Sequence, residues 1–432
     1  MEGYVKTDIG LIPQDWNLYK LGEVATFRRG SFPQPYGLDK WYDDNNGYPF
    51  VQVYDVGDNL TLKATTKRKI SEEAAEKSVL AKKGTLLLTI QGSIGRMAIA
   101  HYDTYVDRTL LLFNSFKVPI DKNFFMFTVF RLFELEKQRA HGSTIKTITK
   151  AQLTNFQIPL PPYPEQQKIA DILGTVDKKI QVIDEQILKT EKLKKGVMQR
   201  LLTEGIGHTE FKDSPLGKIP KSWQLISLYD LRNKKDKYGF TGGPFGSDLK
   251  SEHYTLDGVK VIQLQNIGEG KFIEKGIIYT SEEKADELKS CNIYPNDIIL
   301  AKMAPVARCC IVPSLDERYV MCSDGIRLSV DRERFDNDFI FQALNCPYFR
   351  NQAESKSTGT TRARIGLNDL KKTVLIVPPD ISEQKKLAQI LKTFDEKINV
   401  LDGKKMEYHK LKNGLMQTLL TGKIRVNNPI EV

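Results

Sequence analysis

The stretch EQQKIADILGTVDKKIQVID (165–184) decides the fold, because it returns at 383–402 as EQKKLAQILKTFDEKINVLD. The recurrence extends along the chain: IPQDW (12–16) returns as IPKSW (219–223), FVQVYDVG (50–57) as VIQLQNIG (261–268), LLLTIQGSIGR (86–96) as IILAKMAPVAR (298–308) and GSTIKTITKAQL (142–153) as GTTRARIGLNDL (359–370). The offset between copies grows only from 207 at position 12 to 218 at position 165. One unit is therefore duplicated in order, and two units suggest a two-part target.

Each copy of the deciding stretch predicts a long helix with a narrow apolar stripe. A proline-containing break, LPPYPEQ (160–166) or VPPDISEQ (377–384), precedes a glutamate that suits the positive end of a helix dipole. The apolar residues then alternate at spacings of three and four, which is typical of a coiled-coil seam. The residues predicted to pair the helices are Ile169, Leu173, Val176, Ile180 and Ile183 in the first copy, and Leu387, Leu391, Phe394, Ile398 and Leu401 in the second.

The connection between the copies favours an antiparallel arrangement of these helices. Residues 165–202 would form a rod of roughly 57 Å at 1.5 Å per residue. A parallel pair would need a long return connection that the sequence lacks. We therefore expect a pseudo-twofold pair of helices with a globular segment at each end and the chain termini close together. The alternative is that each helix packs singly on an ordinary core.

The globular segments read as mixed α and β. Short apolar runs such as 50–53, 85–90 and 109–118 are split by Gly, Asp and Asn turns and predict strands. The longer runs at 124–141 and 335–355 predict one buried helix in each segment. The fold class is thus α+β, with two mixed α/β domains separated by two long antiparallel coiled-coil helices.

Composition narrows the classes of protein that fit. The five cysteines lie in the second half without CxxC spacing, which fits reduced thiols and offers no metal-ligand cluster. The amino terminus lacks a signal pattern, and no apolar run approaches the roughly 20 residues of a membrane span, so a cytoplasmic protein is expected. A net charge of +10 favours a polyanionic partner.

Motifs of nucleotide-driven or covalent catalysis are missing from the sequence. The GK pairs, at 217, 270, 403 and 422, are never followed by Ser or Thr, so there is no GxxxxGK[ST] loop, and no Asn-Pro-Pro-aromatic methyltransferase motif occurs. This favours a recognition or scaffold role, with no catalytic, cofactor-binding or metal-binding residues in the chain.

Polar loops that carry arginines between the strand-like runs are the candidate binding elements. Arginine can pair with phosphate or bridge guanine, and short side chains let the backbone approach phosphates; tight turns with incidental charge are the alternative. The candidate DNA-binding residues are Arg28, Arg29, Gln91, Ser93, Arg96, Arg108, Lys146, Ser247, Lys302, Arg308, Arg327, Thr360, Arg362 and Arg364.

These motifs together resemble the specificity subunit of type I restriction-modification enzymes. The likeness rests on IPxxW in each unit, GPFGSDLK, QNIG, GSTIKTITKAQL, the proline-rich helix openings and KLKxGLMQxLLT, and it spans almost the whole chain. It implies a target recognition domain at 1–160, a spacer helix at 161–208, a second recognition domain at 209–378, a second spacer helix at 379–425 and a tail at 426–432. It also implies that the chain reads a bipartite, asymmetric site on double-stranded DNA.

The resemblance further implies partners that carry the chemistry. Two methyltransferase subunits would bring S-adenosylmethionine, and restriction subunits would bring ATP and Mg²⁺. This chain itself would bind no cofactor and would not associate with a membrane. Three other hypotheses remain open: a recognition subunit whose partner fuses methyltransferase and nuclease, an enzyme that itself modifies DNA, and a coiled-coil scaffold without DNA contact.

Overall fold

The computed structural model describes residues 3–7, 9–139, 148–359 and 362–426. Its contacts divide the chain into two compact units. Unit 1 consists of Met1–Asp184 together with Gly403–Val432, and unit 2 is the uninterrupted segment Glu185–Asp402. Both division points lie inside the two long helices, whereas the sequence predicted boundaries at the helix ends.

Unit 1 is built on two four-stranded sheets. In spatial order the first contains Ala25–Arg29, Leu110–Phe116, Leu86–Thr89 and Met97–Ile99, and the second contains Arg68–Ile70, Tyr48–Val51, Thr104–Val106 and Val79–Ala81. Two strand pairs complete the unit: Tyr4–Thr7 with Gly10–Pro13, and Asn17–Lys20 with Gln157–Leu160. Its shorter helices are Leu21–Val24, Glu72–Glu76, Lys122–Arg139 and Lys150–Thr154.

Unit 2 repeats this topology with one added edge strand, Tyr254–Thr255. Its four-stranded sheet contains Phe240–Gly242, Gly325–Leu328, Ile298–Ala301 and Cys309–Ile311, and its five-stranded sheet contains Tyr254–Thr255, Ile278–Thr280, Val259–Ile262, Tyr319–Met321 and Asn292–Ile293. The strand pairs are Phe211–Ser214 with Gly217–Pro220, and Gln224–Ser227 with Val374–Val377. The shorter helices are Glu282–Glu287, Asn337–Asn345, Pro347–Ser355 and Leu367–Lys371. The duplication inferred from sequence is thus a duplication of fold.

Two sequence predictions of local structure were partly wrong. The run 50–53 was predicted as one strand, but the strand ends at Val51 and a 3₁₀ turn follows at Val53–Asp55, because the Asp55 carboxylate accepts the backbone N–H of Gln52. The run 335–355 was predicted as one helix, but it breaks before Pro347. Proline has no N–H to continue a helix and is favoured at a first turn, so a second helix starts there.

The two long helices run Tyr163–Glu204 and Ile381–Leu419. Their predicted stripe is buried except at Phe394 and Ile398, which are half-buried. In unit 1, Ile169 and Leu173 share one core with Met416, Leu419 and the aromatic helix Lys122–Arg139. In unit 2, Leu387 and Leu391 share a core with Met198 and Leu202. Packing on an ordinary core therefore accounts for the stripe at both helix starts, and each of these cores also takes in the end of the other helix.

Candidate nucleic-acid interface

Each unit has a turn of the same hydrogen-bonded form in its FVQVYDVG or VIQLQNIG motif. The turn directly follows the strand that enters the motif. In unit 1 the backbone N–H of Gln52 donates to Asp55 at 2.9 Å, and in unit 2 the N–H of Gln263 donates to Asn266 at 2.9 Å. We call residues 52–55 and 263–266 the reader turns. Asp55 is fully buried, and burial raises the pKa of its carboxyl.

Arg96 and Arg308 donate hydrogen bonds to backbone carbonyls in or next to these turns. The Arg96 guanidinium donates to the carbonyl of Val56 at 3.2 Å, and Arg308 donates to the carbonyls of Ile267 at 2.6 Å and Leu264 at 2.7 Å. The sequence predicted both arginines as DNA contacts. The structure gives them backbone partners at equivalent places, an arrangement that fixes the turn.

The reader turn of unit 1 presents a chain of hydrogen-bonded polar groups. The Tyr36 hydroxyl lies 3.3 Å from Asp107 and accepts from Gln52 Nε2 at 2.6 Å, and Tyr54 donates to Gln52 Oε1. Burial, followed by Asp55, raises the pKa of Tyr54 to about 12, so its hydroxyl keeps its proton at neutral pH.

Basic side chains surround this group. The Arg108 guanidinium lies 5.1 Å from the Tyr36 ring centre, and Lys67 Nζ lies 5.1 Å from the Tyr54 ring centre. Arg29 is exposed and donates to the carbonyl of Arg108. Positive charge beside aromatic and amide groups is typical of surfaces that bind nucleic acid.

Unit 1 also has a basic groove of about 440 Å³ that is lined by several of the residues predicted to contact DNA. It is lined by Phe27, Arg28, Arg29, Ile90, Gln91, Leu111, Ile148, Thr149 and Lys150. Of these, Arg28 and Arg29 are exposed and Gln91 is half-buried. Ser93 lies apart from this groove, in a cavity of about 750 Å³ that Arg96 also lines.

The reader turn of unit 2 opens on a shallow groove of about 410 Å³. Its lining includes Phe245, Gln263, Gln265, Ser323 and Asp324, and Phe245 is 81 % exposed. Gln265 Nε2 donates to Gln263 Oε1 and to the carbonyl of Gly276, both at 3.0 Å. Gln52, Tyr54, Gln263 and Gln265 were not among the residues predicted to contact DNA, although all four lie inside the duplicated motif FVQVYDVG or VIQLQNIG.

Basic residues also stand near this groove. Lys302 Nζ donates to the carbonyl of Ser323 at 2.7 Å, and Arg364 pairs with Asp324 at 2.8 Å. Burial, followed by the neighbouring Arg364, lowers the pKa of Lys302. Arg362 is exposed, and so is Ser247, whose hydroxyl donates to Asp248 at 3.1 Å.

The structure argues against a DNA contact at one predicted residue. The Arg327 side chain is only 5 % exposed and pairs with Asp297 at 2.6 Å and with Asp236 at 2.7 Å. Its place on the central strand Gly325–Leu328 of a sheet turns it into the core. Lys146 and Thr360 lie outside the described residues.

Two structural features are absent from the described residues. No group of three or more His, Cys, Asp or Glu side chains is arranged to hold a metal ion within 3–7, 9–139, 148–359 and 362–426. In the same ranges, none of the helices combines the length and apolar character that crossing a bilayer demands.

Comparisons with known proteins agree on one family. The sequence profile described as "Type I restriction modification DNA specificity domain" matches residues 13–192 and 249–407. The type I restriction enzyme MjaVIII specificity subunit of Methanocaldococcus jannaschii is 27 % identical, with 96 % of this chain and 95 % of the relative covered. The putative MjaX specificity subunit of the same organism is 29 % identical, covering 98 % and 97 %.

A solved structure supports the same fold. The S subunit of a type I restriction-modification system from M. genitalium superposes with a TM-score of 0.55 at 16 % identity, covering 94 % of this chain and 96 % of that one. The chain belongs to the type I restriction-modification DNA specificity family. It is a specificity subunit, the non-catalytic, DNA-sequence-recognising member of such a system.

Proposed function

We propose that the two units each read one half of a bipartite, asymmetric sequence on double-stranded DNA. One observation carries the proposal: the units share sheet order and a pinned reader turn, while the exposed side chains on that turn differ, with Tyr54 in one unit and Gln265 in the other. A common framework with different exposed side chains suits two half-sites that differ in sequence.

The two long helices would form an antiparallel coiled coil that sets the spacing between half-sites. Support comes from ion pairs inside each unit. In unit 1, Asp177 pairs with Lys412 at 2.6 Å and Asp184 with Lys405 at 2.5 Å. Residue numbers rise along one helix as they fall along the other, so the two helices run antiparallel. In unit 2, Lys194 pairs with Asp395 at 2.6 Å, which is the same contact one repeat later.

The same helices would offer docking surface to partner subunits. Two methyltransferase subunits would supply S-adenosylmethionine and methylate adenine, and restriction subunits would supply ATP- and Mg²⁺-dependent cleavage, in the cytoplasm. Residues 1–160 and 209–378 would be the recognition domains, and 161–208 and 379–425 the spacer helices. The names of the relatives, all type I specificity subunits, support this assignment.

The test is to map methylated adenines in DNA exposed to the complex of this chain with its methyltransferase subunits. A single interrupted motif with two unlike halves is expected. Inserting one helical turn in both long helices should lengthen the gap and leave both halves unchanged. A continuous motif would overturn the two-reader proposal, and an unaltered gap would remove the spacing role.

A further inference from the structure

The side-chain amides on the two reader turns are held in fixed orientations by hydrogen-bond partners of known polarity. An amide presents a donor on one side and an acceptor on the other, and its orientation follows from neighbours that can act in only one way. Both turns have such a neighbour.

In unit 1 the neighbour is the carboxylate of Asp107. An ionised carboxylate only accepts, so Tyr36, 3.3 Å away, must donate to it. The Tyr36 oxygen then accepts from Gln52 Nε2 at 2.6 Å, and Gln52 Oε1 receives the Tyr54 hydroxyl. Gln52 keeps one N–H and one lone pair on the same amide for a ligand.

In unit 2 the neighbour is the carbonyl of Gly276. It can only accept, so the Gln265 atom at 3.0 Å is Nε2, and the Gln263 atom that Nε2 also contacts at 3.0 Å is Oε1. Gln263 Nε2 is thereby left as a donor and Gln265 Oε1 as an acceptor. The pair presents the same two groups that Gln52 presents alone.

One donor beside one acceptor matches a single base edge. Adenine shows the N7 acceptor beside the N6 donor in the major groove, and glutamine is its usual bidentate partner. Guanine shows two acceptors there and cytosine a donor, so neither satisfies both groups. We propose that Gln52 and the pair Gln263–Gln265 each read an adenine in the major groove, one in each half-site, and that Arg96 and Arg308 are positioning residues for them.

This inference rests on the proposed function and goes beyond it, because it assigns a base and an atom to named residues. The hydrogen bonds within the turns support it. Each turn is bonded by the side chain of Asp55 or Asn266 and by an arginine guanidinium, so it loses little conformational freedom when it binds DNA. An unbraced surface glutamine would lack this preorganisation.

The experiment uses the full complex and its mapped motif. Each adenine that is not methylated is replaced in turn by 7-deazaadenine, which lacks the N7 acceptor. For the wild-type complex, binding is expected to weaken about 5- to 150-fold at one adenine in each half-site, as for loss of a bidentate contact. Gln52→Ala should remove that sensitivity in one half only, and Gln263→Ala in the other half only.

Two further variants sharpen the result. Gln263→Glu turns the donor into an acceptor and should shift preference at its position from adenine toward cytosine, whose N4 donates. Gln224→Ala, an exposed glutamine on the strand Gln224–Ser227 of the same unit, should keep the wild-type motif and sensitivity.

The outcomes separate the two proposals. A wild-type complex with no bipartite motif would refute the proposed function. A bipartite motif that Gln52→Ala and Gln263→Ala leave intact at every adenine would refute the adenine readers alone. Loss of methyltransferase association with an unchanged motif would make the turns a docking surface and would likewise overturn this inference.

Discussion

The first turns of the two long helices carry equivalent glutamates whose partners differ between the units. In both units a tryptophan donates to the glutamate: Trp16 Nε1 to Glu165 at 3.1 Å, and Trp223 Nε1 to Glu383 at 3.2 Å. In unit 1 the second partner is Arg425, which reaches Glu165 with two nitrogens and also pairs with Asp15. In unit 2 it is His208, at 2.6 Å from Glu383.

This difference separates what the repeat keeps from what it varies. The tryptophan–glutamate contact joins the IPxxW hairpin to the helix start and is identical in both units. The second partner comes from the segment that follows the other helix, and it varies in residue type and in the number of contacts it makes. The same division appears at the reader turns, where the pinning is kept and the exposed side chains change.

The largest effect should follow from breaking the buried charge cluster of unit 2, in which Arg327 occupies a position that is apolar in unit 1. Leu112 stands where Arg327 stands in unit 2, since Leu112 pairs with Leu87 and Arg327 with Ile299. Arg327→Leu should lower the free energy of unfolding of unit 2 by about 3–5 kcal/mol, because Asp297 is left buried without its partner. Hydrogen exchange resolved by unit measures this loss.

A matched double variant tests the cause. Thr85 occupies the place of Asp297 in unit 1, as the carbonyls of both accept the equivalent strand N–H, from Ala100 and Val312. Adding Asp297→Thr to Arg327→Leu should recover most of the loss, because the uncompensated carboxylate is gone. A double variant as unstable as the single one would contradict this account.

The next largest effect concerns the ion pairs that Arg425 forms with Glu165 and Asp15. Glu165 is 0 % exposed, whereas Glu383 is 22 % exposed, so Arg425→Ala should cost about 2–3 kcal/mol in unit 1 and His208→Ala about 1 kcal/mol in unit 2. Arg425 holds the pKa of Asp15 below its usual value. That part of the stabilisation is present above the usual aspartate pKa and is lost as pH falls through the lowered value.

Unfolding of both variants should therefore be compared between pH 8 and the acid limit of folding. The deficit of Arg425→Ala should stay nearly constant down to about pH 5 and shrink below about pH 4. Equal losses in the two variants would show that the second partner contributes the same in both units.

A smaller effect distinguishes the equivalent helix ion pairs. Asp395 also accepts a hydrogen bond from Gln342 Nε2 at 2.8 Å, so Lys194→Met should lower the free energy of unfolding by only about 1 kcal/mol. Lys412→Met removes the ion-pair partner of Asp177 and should lower it by about 2 kcal/mol. Burial raises the pKa of Asp177 despite Lys412. A carboxyl whose folded pKa is raised destabilises the fold once the pH exceeds its unfolded-state value, so the Lys412→Met deficit should shrink as the pH falls through the raised pKa. A deficit that grows on acidification would contradict this sign.

The smallest effect is expected at an exposed candidate phosphate contact. Arg362→Ala should leave thermal stability unchanged and reduce the slope of log binding constant against log salt by about 1, while sequence preference stays the same. Titrations of DNA at several salt concentrations measure it. An unchanged slope would remove Arg362 from the interface.

The repeat made the fold accessible from sequence, because duplicated glycines, prolines and apolar stripes mark the same elements twice. Helix bounds came within a few residues, Tyr163–Glu204 for a predicted 165–202. The contacts divide the chain inside the long helices, because each helix shares its stripe between two cores and pattern alone does not say which core receives which turn. The predicted domain bounds stay a prediction. The resemblance to the specificity family was confirmed.

The candidate site was predicted less well, for a physical reason. An arginine beside a glycine-rich turn looks the same in sequence whether it faces phosphate or a buried carbonyl, as Arg308 does. Arg327 could not be recognised as a core residue because its acidic partners, Asp236 and Asp297, lie 91 and 30 positions away. The glutamines of the reader turns carry no charge and were passed over.

Unit 1 is assembled from both ends of the chain, since Met416, Leu419 and Leu420 complete its core and Gly422 lies against Pro13 and Trp16. During synthesis on the ribosome, the whole of unit 2 emerges before these residues do. The amino-terminal part of unit 1 therefore keeps an incomplete apolar core until Met416, Leu419 and Leu420 have been translated.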